Sequence, residues 1–89
     1  MMLEDNALEA IIREYYRARD IYGPFRSAHE GYAITHEELD ELWDAVKMKN
    51  NQSIDEKGRL RSEAMEEEAI QVGAMALRFL VDICERDIE

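Results

Sequence analysis

The chain carries one cysteine, one proline and four glycines in 89 residues. A lone thiol, Cys84, cannot close a disulfide within the chain, so the cross-linked secreted class is set aside and a reducing, cytoplasmic setting is expected. With so few breakers and no strand-like alternation of useful length, β sandwiches and barrels are set aside as well. Cations are scarce too: 11 basic residues face 21 acidic ones, for a net charge of −10. Nucleic acid and anionic membrane surfaces attract basic patches, so neither is expected as a partner. The longest apolar stretch, Ala69 to Cys84, is interrupted by Gln71, Arg78 and Asp82, so no transmembrane span is read. The leading MMLEDN is acidic and lacks an apolar core, so no signal peptide is read either. Repeats and low-complexity tracts are missing.

What remains is a small all-α chain, read as a single domain over residues 1–89. A chain of this size buries only about 60% of its unfolded surface or slightly more, so a supplement from oligomerisation or a bound metal is expected. Three helices account for most of it. The first runs from about Leu3 to Tyr22. It has Leu8, Ile11, Ile12, Tyr15, Ala18 and Tyr22 on one face, an Asn6/Glu9 capping box and a favourable Glu9–Arg13 pair. Gly23-Pro24 ends it. The second starts at Ser27, where Ser27 and Glu30 form a capping box, and continues to about Asn50. Gly31 costs about 1 kcal/mol inside a helix, so a later start at the Thr35/Glu38 box is the alternative. Asn50-Asn51-Gln52-Ser53 reads as a polar loop. The third helix begins between Ser53 and Arg59 and reaches about Arg86. Val72, Ala76, Leu77, Phe79, Leu80, Val81, Ile83 and Cys84 cover most of its circumference, so it is expected to be buried on more than one side and to supply a subunit interface. The expected architecture is an antiparallel helical bundle completed by oligomerisation.

Two segments carry the clearest chemistry. EELDELWD, residues 37–44, places Glu38 and Glu41 one helical turn apart. EAIQVGAMALRFLVD, residues 68–82, threads Glu68, Gln71 and Asp82 along one stripe with Ala64 and Met75, and sets Arg78 at its edge. On a helical wheel Glu38 stands roughly 40° from Leu42 and Glu41 roughly 60° to its other side, with Ile34 and Ala45 on the same stripe. Carboxylates bracketed by apolar residues cost several kcal/mol to desolvate or must take up protons, and a divalent cation offsets that cost. An all-oxygen ligand set suits Mg²⁺. The competing reading is a solvated helix face, because acid-x-x-acid spacing recurs at Glu37/Asp40, Glu41/Asp44 and Glu63/Glu66.

The ordered pair EExxE and EExxQ resembles the ExxE…ExxD signature of the MazG-like, all-α nucleoside triphosphate pyrophosphohydrolases. FRSAHEGYAITHEELDELWDAVK, followed by EEEAIQVGAMALRF, resembles a small branch of that family, and the likeness covers Phe25 to Asp82. The resemblance implies a bundle that forms a homodimer or homotetramer. It implies Mg²⁺ held by Glu38, Glu41, Glu68 and Gln71, and a nucleoside triphosphate cut by water into pyrophosphate and a nucleoside monophosphate. Glu38 and Glu41 would be the catalytic residues, one of them orienting or deprotonating the water. Gln71 stands where the pattern has Asp; its carbonyl can ligate but brings no charge, so a non-catalytic helical interaction module is the alternative function.

Lys47, Lys49, Lys57, Arg59 and Arg61 gather around the loop between the second and third helices. They are read either as phosphate contacts, Lys47 first among them, or as counter-charges for acidic helix ends. Arg78 and Asp82 are the further candidates for substrate contact, and Asp82 would alternatively hold a second ion or a basic residue. Trp43 lies near Leu39 on the wheel and is expected to pack. Cys84 is expected in the core, and Tyr15, Tyr16, Tyr22 and Tyr32 as packing residues with polar tips. His29 and His36 lie about 10 Å apart along the helix, too far to share a metal.

Overall fold

A computed structural model describes residues 2–50 and 53–85. It contains three α-helices among those residues, α1 (Glu4–Tyr22), α2 (Ala28–Val46) and α3 (Arg61–Phe79), and α3 runs on into a single π-helical turn, Leu80–Cys84. No described helix is long and apolar enough to cross a membrane. Asn51, Gln52 and Arg86 lie outside the described residues, so the middle of the polar loop and the far end of the third helix do too.

Helix α1 forms and stops where its pattern expects. Gly23 takes φ +72°, its N–H donates to the Arg19 carbonyl at 2.8 Å, and Pro24 bars continuation. The Asn6/Glu9 box is not formed. Extended Leu3 is the N-cap, without a side-chain hydrogen bond, and Asn6 lies inside the first turns. Glu4 and Asp5 sit in that first turn, where the helix dipole favours negative charge.

Helix α2 starts at the earlier of the two expected points. The Ser27 hydroxyl accepts the Glu30 N–H at 3.0 Å. Glu30 reaches back one residue further than a capping box does, and accepts the Arg26 N–H at 2.8 Å. Thr35 is interior, and its hydroxyl donates to the Gly31 carbonyl at 2.7 Å. Gly31 is tolerated there because no side chain fits: an added Cβ would sit 2.8 Å from the Phe79 ring and 3.0 Å from that of Phe25. The helix ends at Val46, about a turn short of Asn50, where Arg61 donates through Nε and Nη2 to the Val46 carbonyl. Arg61 thus satisfies one of the terminal carbonyls that a helix leaves open.

Helix α3 starts later than expected, because Asp55 organises a turn before it. The Asp55 carboxylate accepts the N–H groups of Lys57 and Arg59 at 3.0 and 2.8 Å, and Ile54 bridges to Leu60. Glu63 accepts the Leu60 N–H at 2.9 Å and sets the helix start.

Both α1 and α2 pack against α3, yet of the eight apolar residues expected to cover it Val72, Leu77, Phe79, Val81 and Ile83 are half-buried and Ala76, Leu80 and Cys84 exposed. The inward stripe of α3 is the one that bears the chemistry: Ala64, Glu68, Met75, Arg78 and Asp82 are buried and Gln71 half-buried. Tyr15 and Ala18 of α1, Phe25, and Ala74 and Met75 of α3 form the core, with Ile34, Leu77, Phe79, Val81 and Ile83 against it. Several expected core residues face outward instead. Trp43 is 56% exposed, and Leu39, Leu8, Ile12, Tyr16, Tyr22, Tyr32, Leu80 and Cys84 are exposed as well. On α2 the residues Tyr32, His36, Leu39, Trp43 and Val46, spaced 4-3-4-3, form an outer seam opposite the stripe that meets α3.

Candidate functional site

Glu38 and Glu41 reach the site because they stand one turn apart on α2, on the side facing α3. Glu68 reaches it from the inward stripe of α3. One ligand oxygen from each lies within 4.8 Å of the other two. The three differ in burial: Glu68 is 4% exposed, Glu38 is half-buried and Glu41 is exposed. Burial pushes the Glu38 carboxyl up to about 7, helped by the negative charges of Glu41 and Glu68. Crowded oxygens that would otherwise repel or take up protons are the donor set that a hard divalent cation satisfies.

The triad opens on a hollow of about 760 Å³ walled by α1, α2 and α3. Glu37 and Gln71 also line it, as do Lys57 and Arg59 from the turn before α3 and Arg17, Arg26 and Arg78 elsewhere on its wall. The cavity is therefore rimmed by both signs of charge in a chain that is strongly acidic overall.

The other sequence-expected residues divide by position. Gln71 lies beside the Glu14 carboxylate of α1 and, after Arg17, helps to hold that acid below the usual range. An aspartate in its place would meet Glu14 as a like charge, which gives the glutamine a structural reason. Lys47 does not line the hollow; it pairs with Asp44 at 3.4 Å and lies over the Trp43 ring. Arg78 does line it, but its guanidinium stacks 4.1 Å from the Phe25 ring centroid and donates through Nη2 to the Gly23 carbonyl at 2.7 Å. Asp82, 2% exposed, accepts the Phe25 N–H at 2.9 Å and lies 3.9 Å from Arg19. Arg78 and Asp82 thus tie the α1–α2 corner to α3; Asp82 does not line the hollow, and of the two alternatives raised for it a basic neighbour, Arg19, is the one present.

Arg59 was one of five undifferentiated cations in the sequence. In the structure it is the one most deeply engaged with the acids: it bonds Asp55 and Glu67, and its Nη2 lies 2.9 Å from Glu68 Oε2. Its spacing of four from Asp55 was the available signal. The link to Glu68 depends on how the turn folds back. Comparison with family models, with curated proteins and with solved structures finds no match to the chain.

Proposed function

We propose that the protein is a Mg²⁺-dependent nucleoside triphosphate pyrophosphohydrolase, releasing pyrophosphate and a nucleoside monophosphate. The observation that carries this reading is the convergence of Glu38, Glu41 and Glu68 within 4.8 Å beside a hollow of about 760 Å³. When bound, the ion would neutralise phosphate charge and polarise the scissile anhydride. Glu38, Glu41 and Glu68 would hold it, with the Gln71 carbonyl as a further neutral ligand. Of Glu38 and Glu41, one would orient the attacking water or accept its proton. Arg78, on the cavity wall, is assigned to the substrate's phosphates; Lys47, outside the hollow and paired with Asp44, is not. Asp82 serves substrate binding through the corner it holds. The resemblance of Phe25–Asp82 to the MazG-like family supports the same assignment, and with it a cytoplasmic protein.

The same proposal includes assembly. The helices form an antiparallel bundle, and two or four copies pair through the outer seam of α2, where Tyr32, Leu39, Trp43 and Val46 are exposed. Alanine supplies four of the seven buried apolar side chains among the described residues, so covering that seam would supplement a thin core.

The test is pyrophosphate release from a panel of nucleoside triphosphates with Mg²⁺, comparing wild type with Glu38→Gln. Release by wild type and its loss in the variant are expected; no release from any substrate, or undiminished release by the variant, refutes the enzymatic reading. A second reading, a non-catalytic interaction module, is favoured by the Gln71–Glu14 contact and the exposed seam. It requires that Mg²⁺ leave the melting temperature unchanged.

A further inference from the structure

The turn before α3 brings two cations to the carboxylate triad. Arg59 Nη2 lies 2.9 Å from Glu68 Oε2, and Lys57 Nζ lies 3.9 Å from the same oxygen. The Glu68 side chain is only 5% exposed, so water cannot neutralise it and a fixed cation does so instead. Arg59 is also shared: Nη2 lies 2.8 Å from an Asp55 oxygen and Nη1 lies 2.9 Å from Glu67. We propose that Arg59 is the internal counter-ion of the metal centre, holding Glu68 while no divalent cation is bound and yielding that oxygen when one binds. The inference rests on the metal-centre reading above.

Two physical facts favour exchange over coexistence. A guanidinium N–H and a divalent cation compete for one carboxylate oxygen, and their charges repel at that range. Arg59 also has somewhere to go. Giving up Glu68 leaves it bound to Asp55 and Glu67, so its release is cheap, whereas Glu68 without any cation is a buried, uncompensated charge. The turn itself need not open, because Asp55 holds it through the backbone N–H groups of Lys57 and Arg59. Arg59 lines the hollow, so the donor it frees is available to an anionic ligand there. The centre is thereby biased against cations that cannot outcompete a built-in guanidinium.

The experiment is calorimetric titration of the full chain with Mn²⁺ alone, for wild type, Arg59→Gln and Arg59→Lys, each checked for native helicity. Removing the competitor should tighten Mn²⁺ about tenfold in R59Q, with R59K in between. Equal or weaker binding by R59Q overturns the counter-ion role while leaving the metal centre standing. Failure of both wild type and R59Q to bind Mn²⁺ overturns the centre and the counter-ion together. Should R59Q not fold, Lys57→Gln at its exposed position replaces it. A twofold to threefold tightening is then expected, and unchanged or weaker binding refutes the proposal.

Discussion

Replacing Glu38 by glutamine should stabilise the metal-free protein at alkaline pH, a result that a merely structural carboxylate would not produce. In the folded chain the Glu38 carboxyl is pushed from its ordinary 4.5 up to about 7, by burial first and then by Glu41 and Glu68. A group whose folded value is raised contributes stability that is fully present below its unfolded value and is lost as pH climbs through its folded one. The window is therefore pH 4.5 to about 7, and above it the wild type carries the whole penalty. The interval corresponds to at most about 3 kcal/mol; because Glu38 is half-exposed, solvent screening reduces this to roughly 1–2 kcal/mol. For a domain of this size that is roughly 5–15 °C in melting temperature. Thermal melts in a chelator, at one protein concentration, should show Glu38→Gln and wild type nearly equal at pH 5 and the variant higher at pH 8.5. Saturating Mg²⁺ should reverse the order, since an ion at about 100 times its dissociation constant adds about 2.7 kcal/mol to a chain that binds it. A variant that melts at or below wild type at pH 8.5, or by the same margin at both pH values, refutes the reasoning.

Three further outcomes are expected. Gly31→Ala should destabilise by about 1 kcal/mol, because its Cβ would press on two aromatic rings at 2.8 and 3.0 Å, outweighing the helix propensity it gains. Gly73→Ala meets a single side chain, Ile11, at 2.9 Å from Cδ1 and 3.1 Å from Cγ1, and should cost less than Gly31→Ala; urea denaturation ranks the pair, and the opposite order counts against this packing. Asp82→Ala should cost about 2–3 kcal/mol by leaving the buried Phe25 N–H unpaired, with Asp82→Asn recovering part of it; a loss below about 0.5 kcal/mol in denaturant melts would place the corner's stability elsewhere. On the proposed assembly, Trp43→Glu should yield monomers in sedimentation where wild type is larger, and an unchanged mass would remove the outer seam of α2 from the interface.

The helices and the α3 stripe were legible in the sequence because both follow from a period near 3.6 residues. Ala64, Glu68, Gln71, Met75, Arg78 and Asp82 lie where the wheel puts them. The carboxylate pair of α2 was legible for the same reason. The inside of each helix was harder to assign. Helix α2 carries two amphipathic seams, and nothing local to Leu39 or Trp43 says that the polar one, with Glu38, turns toward α3. Cys84 fell to the same ambiguity. The helix ends depended on distant or unusual partners: Arg61 stops α2 from fifteen residues away, and extended Leu3 starts α1 where a side-chain cap was expected. Gly31 looked like a flaw until Phe25 and Phe79 were seen to occupy its missing side chain's place.

With acids on one side and aromatics on the other, α2 has few positions where substitution would pass unnoticed. On the proposed reading, drift toward neutral polar residues on the first side would empty the centre, and on the second would dissolve the assembly. A single rod of nineteen residues would thus carry both the metal site and the contact between copies.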